Sequence, residues 1–143
     1  MKIIGSGGVS VHTHSTYYTV TFCALGVVGA GVTRYIGPGI ATASIASTQY
    51  LVAPENCIII SMFVEVATPP GGADWHDFYL YQNATQEAMH VQISAGVFTG
   101  HDDVNPVTVI NGSRISIQAI GSATSVCANA NITLLIKSTS SVP

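Results

Sequence analysis

Apolar and polar positions alternate along most of this chain, most sharply near its C-terminal end. From Arg114 to Ile120, Ile115, Ile117 and Ala119 alternate with Ser116 and Gln118, and from Asn131 to Lys137, Ile132, Leu134 and Ile136 alternate with Thr133 and Leu135. A period of two is that of a pleated strand with one face on a core. Between Val109 and Arg114, Asn111-Gly112 has the residue types a tight primed turn needs. The stretch Val104–Lys137 therefore reads as three consecutive antiparallel strands with a hairpin at that pair.

The same period recurs upstream. Tyr18, Val20, Phe22 and Ala24 alternate with Tyr17, Thr19, Thr21 and Cys23 in a first strand over Tyr17–Val28. A cluster of Gly and Pro surrounds a short strand at Val32–Ile36, and Ile40–Leu51 reads as one loose strand. After the turn at Pro54-Glu55-Asn56 comes the strongest strand. There Ile58, Ile60, Met62, Val64 and Val66 are expected on one face and Cys57, Ile59, Ser61, Phe63 and Glu65 on the other. Both faces are largely apolar, so protein is expected on both sides.

Past Pro69-Pro70-Gly71-Gly72, the stretch Trp75–Gln82 places Trp75, Asp77, Tyr79 and Tyr81 opposite His76, Phe78 and Leu80. Asn83-Ala84-Thr85 reads as a turn, Met89–Ala95 as a strand with Val91 and Ile93 inward, and residues 96–105 as an exposed loop. No stretch has helical periodicity. About eight strands with turn signals every ten or so residues predict an all-β, antiparallel sandwich or jelly roll over residues 17–143. Residues 1–16, rich in Gly, Ser and Thr, predict an extended N-terminal arm.

Composition changes the picture in one respect. Charged residues are 8% of the 143, against about 25% in ordinary soluble domains, so a lone monomer would be poorly solvated. A membrane or an assembly could cover such a surface. The longest apolar stretch, Cys57 to Val66, is strand-length and interrupted by Ser61 and Glu65, far short of the roughly 20 residues a spanning helix needs. An assembly is therefore expected and a membrane is not.

The net charge is −3 and the four basic residues are scattered, which disfavours nucleic acid as a partner. No apolar run follows Lys2, so no secretory leader is expected and synthesis is placed in the cytoplasm. Cys23, Cys57 and Cys127 lack metal or redox spacing and read as small buried apolar residues of a reducing compartment.

The order of motifs carries a resemblance. The run CIIISMFVEV, a Pro-Pro-Gly loop, the aromatic strand and turn FYLYQNAT, then HVQIS, VTVINGSRISIQAIGSA and a closing ITLLI are similar to the jelly rolls of the tumour-necrosis-factor-like type. The chain particularly resembles the small versions in bacteriophage virion proteins, such as head decoration proteins and fibre tips. Where those domains often carry Gly-Asp in the penultimate turn, this chain has Asn111-Gly112-Ser113-Arg114. The resemblance spans about residues 17–137 and implies a homotrimer with a threefold-packed sheet and no catalytic activity. The expected role is a virion-surface cement protein bound to the major capsid protein or another virion protein. A fibre tip that binds a receptor or carbohydrate is the alternative.

Several residues are candidates for chemistry. His12 and His14 lie two apart, so on an extended arm both imidazoles can face a threefold axis and offer six nitrogens to one metal. The resemblance suggests iron there, as on the axis of some tail fibres. The plain alternative is two solvated histidines and no cofactor. His101, Asp102 and Asp103 read as a solvated loop tip, or as a receptor or cation loop if they act at all. Asp74, His76 and Asp77 form a second such group without a recognisable catalytic spacing. Tyr79 and Tyr81, with Ile59 and Phe63, are assigned to the subunit interface, sugar contact being the rival use of the aromatic face. A cupin-like enzyme is disfavoured because His90 alternates away from Val91 and Ile93.

Overall fold

The structure is a computed structural model describing residues 15–28, 30–38, 42–43, 50–122, 124 and 126–139, with backbone alone for 25–28 and 42–43. His12, His14 and nearly all of the expected arm lie outside the described residues.

Period-two patterning becomes strand almost everywhere it occurs. The elements are β1 (Tyr17–Val28), β2 (Thr33–Ile36), β3 (Thr42–Ala43), β4 (Leu51–Val52), β5 (Cys57–Thr68), β6 (Trp75–Gln82), β7 (Thr85–Ser94), β8 (Thr99–Asp102), β9 (Val107–Val109), β10 (Arg114–Gly121) and β11 (Cys127–Ser138). They form two antiparallel sheets. Sheet A runs β1-β11-β5-β8, with β9 also on β5, and sheet B runs β3-β2-β10-β6-β7, with β4 also on β10. There is no helix among the described residues. The fold is thus all-β and consistent with a sandwich. The inward residues of both sheets, among them Phe22, Met62, Val64, Phe78, Leu80, Ile93, Ile117, Ile132 and Leu134, are fully buried and form one core.

Three local expectations are corrected. The described residues of the stretch Ile40–Leu51 do not form one strand: Thr42–Ala43 (β3) pairs with β2, whereas Leu51 belongs to β4, which pairs with β10. Nor do Ile58, Ile60 and Met62 share a face. Ile136 pairs with Ile59 but Leu135 with Ser61, which leaves Ile60 as an extra residue in a β-bulge. One inserted residue reverses the parity of everything before it. Cys57 and Ile59 therefore join Met62, Val64 and Val66 in the core, while Ile58 and Ile60 are half-buried.

The third correction concerns the hairpin. β9 belongs to sheet A and β10 to sheet B, so Asn111-Gly112 carries the chain from one sheet to the other. Gly112 has φ 85° and Asn111 is not left-handed, and Ser113 N–H donates to Ile110 O at 3.0 Å. Those are marks of a type II turn, in which only the third position needs a positive φ. The primed two-residue hairpin lies instead between β6 and β7, where Asn83 (φ 50°) and Ala84 (φ 68°) are both left-handed. Asn83 suits that region and also accepts the Arg114 N–H through Oδ1 at 2.9 Å. Ala84 has no such compensation and carries a strain of roughly 1–2 kcal/mol. The Ala84→Gly variant should be more stable by up to about 1 kcal/mol, since the relieved strain exceeds the added chain entropy. A rise in the urea midpoint of unfolding checks this.

Candidate interaction faces

The faces follow from strand parity. On sheet A the outward positions include Thr19 and Thr21 of β1, Thr133 and Leu135 of β11, Ser61, Phe63 and Glu65 of β5, and His101 of β8. Phe63 is 42% exposed in the middle of this surface, with Thr133 on one side and His101 on the other. Threonines dominate around it, and Thr21 and Thr133 are hydrogen-bonded through their hydroxyls at 3.3 Å. The result is a flat face with few charges, Phe63 at its middle and Tyr17 at its end.

On sheet B the outward strip of β6 is Trp75, Asp77, Tyr79 and Tyr81. Their cross-strand neighbours are Ile120, Gln118 and Ser116 on β10 and Ser94, Gln92, His90 and Gln86 on β7. Tyr79 stacks on His90, with centroids 5.2 Å apart and planes at 17°, and Tyr35 meets Tyr81 edge to face at 5.5 Å. Such pairs add about 0.5–1.5 kcal/mol beyond burial. The Asp77 carboxylate accepts from Tyr79 Oη (3.3 Å) and from Gln92 Nε2 (3.0 Å), and Gln118 Nε2 donates to Tyr35 Oη at 2.7 Å. Burial and the neighbouring Asp77 carboxylate raise the Tyr79 phenol above its usual pKa, so it stays a neutral donor.

The residues assigned to one interface are therefore scattered. Phe63 lies on the outer face of sheet A and Tyr79 and Tyr81 lie on that of sheet B. Ile59 is 1% exposed in the chain's own core, where the bulge puts it. It cannot contact another subunit without the core opening.

The His101-Asp102-Asp103 group is divided as well. His101 and Asp103 are exposed, but Asp102 is 6% exposed at the end of β8. Its Oδ1 accepts from Val104 N–H (3.1 Å), Asn105 N–H (3.2 Å) and Asn105 Nδ2 (3.2 Å), and its Oδ2 from His90 N–H (3.0 Å) and Asn105 Nδ2 (3.0 Å). Burial alone would raise this carboxyl's pKa, but the hydrogen bonds from Asn105, His90 and Val104 outweigh it and hold the group below the usual carboxylate range. Asp102 is a structural clamp joining the β8–β9 turn to β7, with its oxygens already occupied, so the solvated-loop reading fails for it.

Asp74, His76 and Asp77 do not converge. His76 is fully buried in the core layer, Asp77 faces outward, and Asp74 accepts from Thr124 Oγ1 at 2.7 Å. Among the described residues no cluster of three or more His, Cys, Asp or Glu could hold a metal.

A cavity of about 310 Å³ lies between the sheets at the pole where β1 begins, walled by Tyr18, Val20, Leu51, Ile59, Val109 and Ile136 among others. Its lining carries no formal charge at neutral pH. Burial, reinforced by Cys57 and Glu55, pushes the Tyr18 phenol up to about 12. Burial also raises the Cys57 thiol despite a hydrogen bond with Tyr18. Neither group is ionised near pH 7, so the cavity suits apolar contents better than acid–base work. Cys127 is buried, its thiol pushed up to about 11 by burial, and all three cysteines are free. Compared with known proteins, the chain matches no family model and no curated protein.

Proposed function

We propose that this chain is a non-enzymatic structural protein of the virion surface, a jelly-roll subunit of a homotrimer that cements a bacteriophage capsid. The observation that carries the reading is the outer face of sheet A, with Phe63 exposed at its centre among threonines. Flat, charge-poor faces with an aromatic anchor are suited to burial against another protein. The strand orders β1-β11-β5-β8 and β2-β10-β6-β7, with the chain crossing repeatedly between sheets, support a jelly roll.

A threefold ring needs two different patches on each subunit, set at an angle that closes. The outer faces of the two sheets point in opposite directions, so packing one on the other would build an open stack. At most one of them belongs to the ring, and sheet A is assigned to it because Phe63 is left 42% exposed there. Tyr17 (54% exposed), Val52 (50%) and Ile110 (65%) crowd the pole where β1 begins, and that end is assigned to the shell beneath.

Light scattering with size-exclusion chromatography tests the assembly. Wild-type protein at micromolar concentration should have three times the 14.8 kDa chain mass. Phe63→Asp should run at the single-chain mass with an unchanged circular dichroism spectrum, because a carboxylate buried there without a partner costs several kcal/mol. A wild-type monomer would end the reading. Gold-labelled protein located on phage heads by negative-stain microscopy tests the cement role.

A further inference from the structure

The outer face of sheet B is not used by that trimer, and it is built differently from sheet A. Along β6 the outward side chains Trp75, Asp77, Tyr79 and Tyr81 form a strip of about 20 Å at the usual strand rise. Trp75 is 37% exposed and His90 is exposed, while Ser116 and Gln118 lie at 4% and 6% between the rings. Aromatic groups thus stand as ridges with planar amide and carboxylate groups between them.

From this arrangement we propose that the β6 strip is a binding site for a neutral oligosaccharide chain. Three features select that ligand. First, the strip has a single formal charge, Asp77, and its oxygens already accept from Tyr79 and Gln92. The cross-strand partners of the four residues on β10 and β7 include no lysine, arginine or carboxylate. An anionic ligand would find no lysine or arginine among these partners, and a cationic one would have to displace the donors that already hold Asp77. Second, rings alternating with planar hydrogen-bonding groups match a sugar, which presents apolar C–H faces and equatorial hydroxyls in alternation. Third, Gln118 is nearly buried and donates to Tyr35, yet its Oε1 takes no hydrogen bond from any described group. A ligand hydroxyl that parts the rings over this buried acceptor supplies the donor it lacks, which a purely apolar partner would leave unmet. The inference is independent of the trimer, since it uses the opposite face of the sandwich.

Trp75 is the single tryptophan of the chain, so its fluorescence reports on this strip directly. Full-length protein is titrated with cellohexaose and maltohexaose and screened on an array of neutral and acidic glycans. The expected result is saturable change in Trp75 emission with at least one neutral glycan. Tyr79→Ala should weaken that binding at least tenfold at unchanged oligomeric mass, and Phe63→Asp should leave it intact. No binding to any neutral glycan overturns the proposal, as does binding that Tyr79→Ala does not weaken. A Tyr79→Ala protein of reduced oligomeric mass overturns it too, because the strip would then be a protein interface.

Discussion

Replacing Phe78 by alanine should lower the unfolding free energy by about 3–5 kcal/mol, the usual cost of removing a fully buried ring. Phe78 is 0% exposed on the inner face of β6, paired across the sheet with Ala119 on β10 and Val91 on β7. Ala119 is too small to expand into the vacated space, and Val91 is stiff about χ1. The neighbours can therefore relax only partly, and the cost belongs at the upper end. Typical domains are stable by about 5–15 kcal/mol, so a third or more of the total is at stake. Urea unfolding at fixed protein concentration should show a lower midpoint with an unchanged slope. A loss below about 1 kcal/mol would mean that the sheets do not close over Phe78.

The second large effect is expected at Asp102. Asp102→Ala leaves the N–H groups of His90, Val104 and Asn105, and the Asn105 amide, without their acceptor. Part of this network is shielded from water, so the cost should be about 2–3 kcal/mol. Because the native carboxyl titrates below its unfolded value, its stabilisation is present in full above the unfolded pKa of about 3.9. That contribution is lost as pH falls through the lower folded value. The difference in urea midpoint between wild type and Asp102→Asn should therefore be largest at neutral pH and shrink toward pH 2. A difference that stays constant over that range would show that the carboxylate's charge has no part in the clamp.

The long strands were legible in the sequence because one face of each meets a core and alternation records it. The bulge in β5 left no trace. Ile58, Ile59 and Ile60 are all apolar, so either parity fits, and the extra residue shows only in the pairing with β11. Turn chemistry misled for a related reason. Asn111-Gly112 tolerates several turn types, and whether the flanking strands lie side by side is decided by which sheet each joins. Ala84 gave no signal for a left-handed position, which the pairing of β6 and β7 imposes on it. Asp102 reads as solvated from the sequence because it falls in the polar loop stretch over residues 96–105. The Asp-Asp-Val-Asn-Pro run was the available clue, since an Asp side chain at a turn often accepts the N–H two residues on, here that of Val104. Face assignments such as Phe63 against Tyr79 need the three-dimensional pairing, because alternation tells inside from outside but not which sheet.

The place of β11 has a bearing on biosynthesis. It is the final strand of the described chain, yet it lies between β1 and β5 and pairs with both along most of its length. While the chain is still emerging from a ribosome, β1 and β5 have no common neighbour, and their apolar sides stay uncovered until β11 is made. Closure of sheet A must then wait for β11 and be slow, as expected when most pairings join distant parts of a chain. A nascent polypeptide stalled before Cys127 should depend on chaperones to stay in solution.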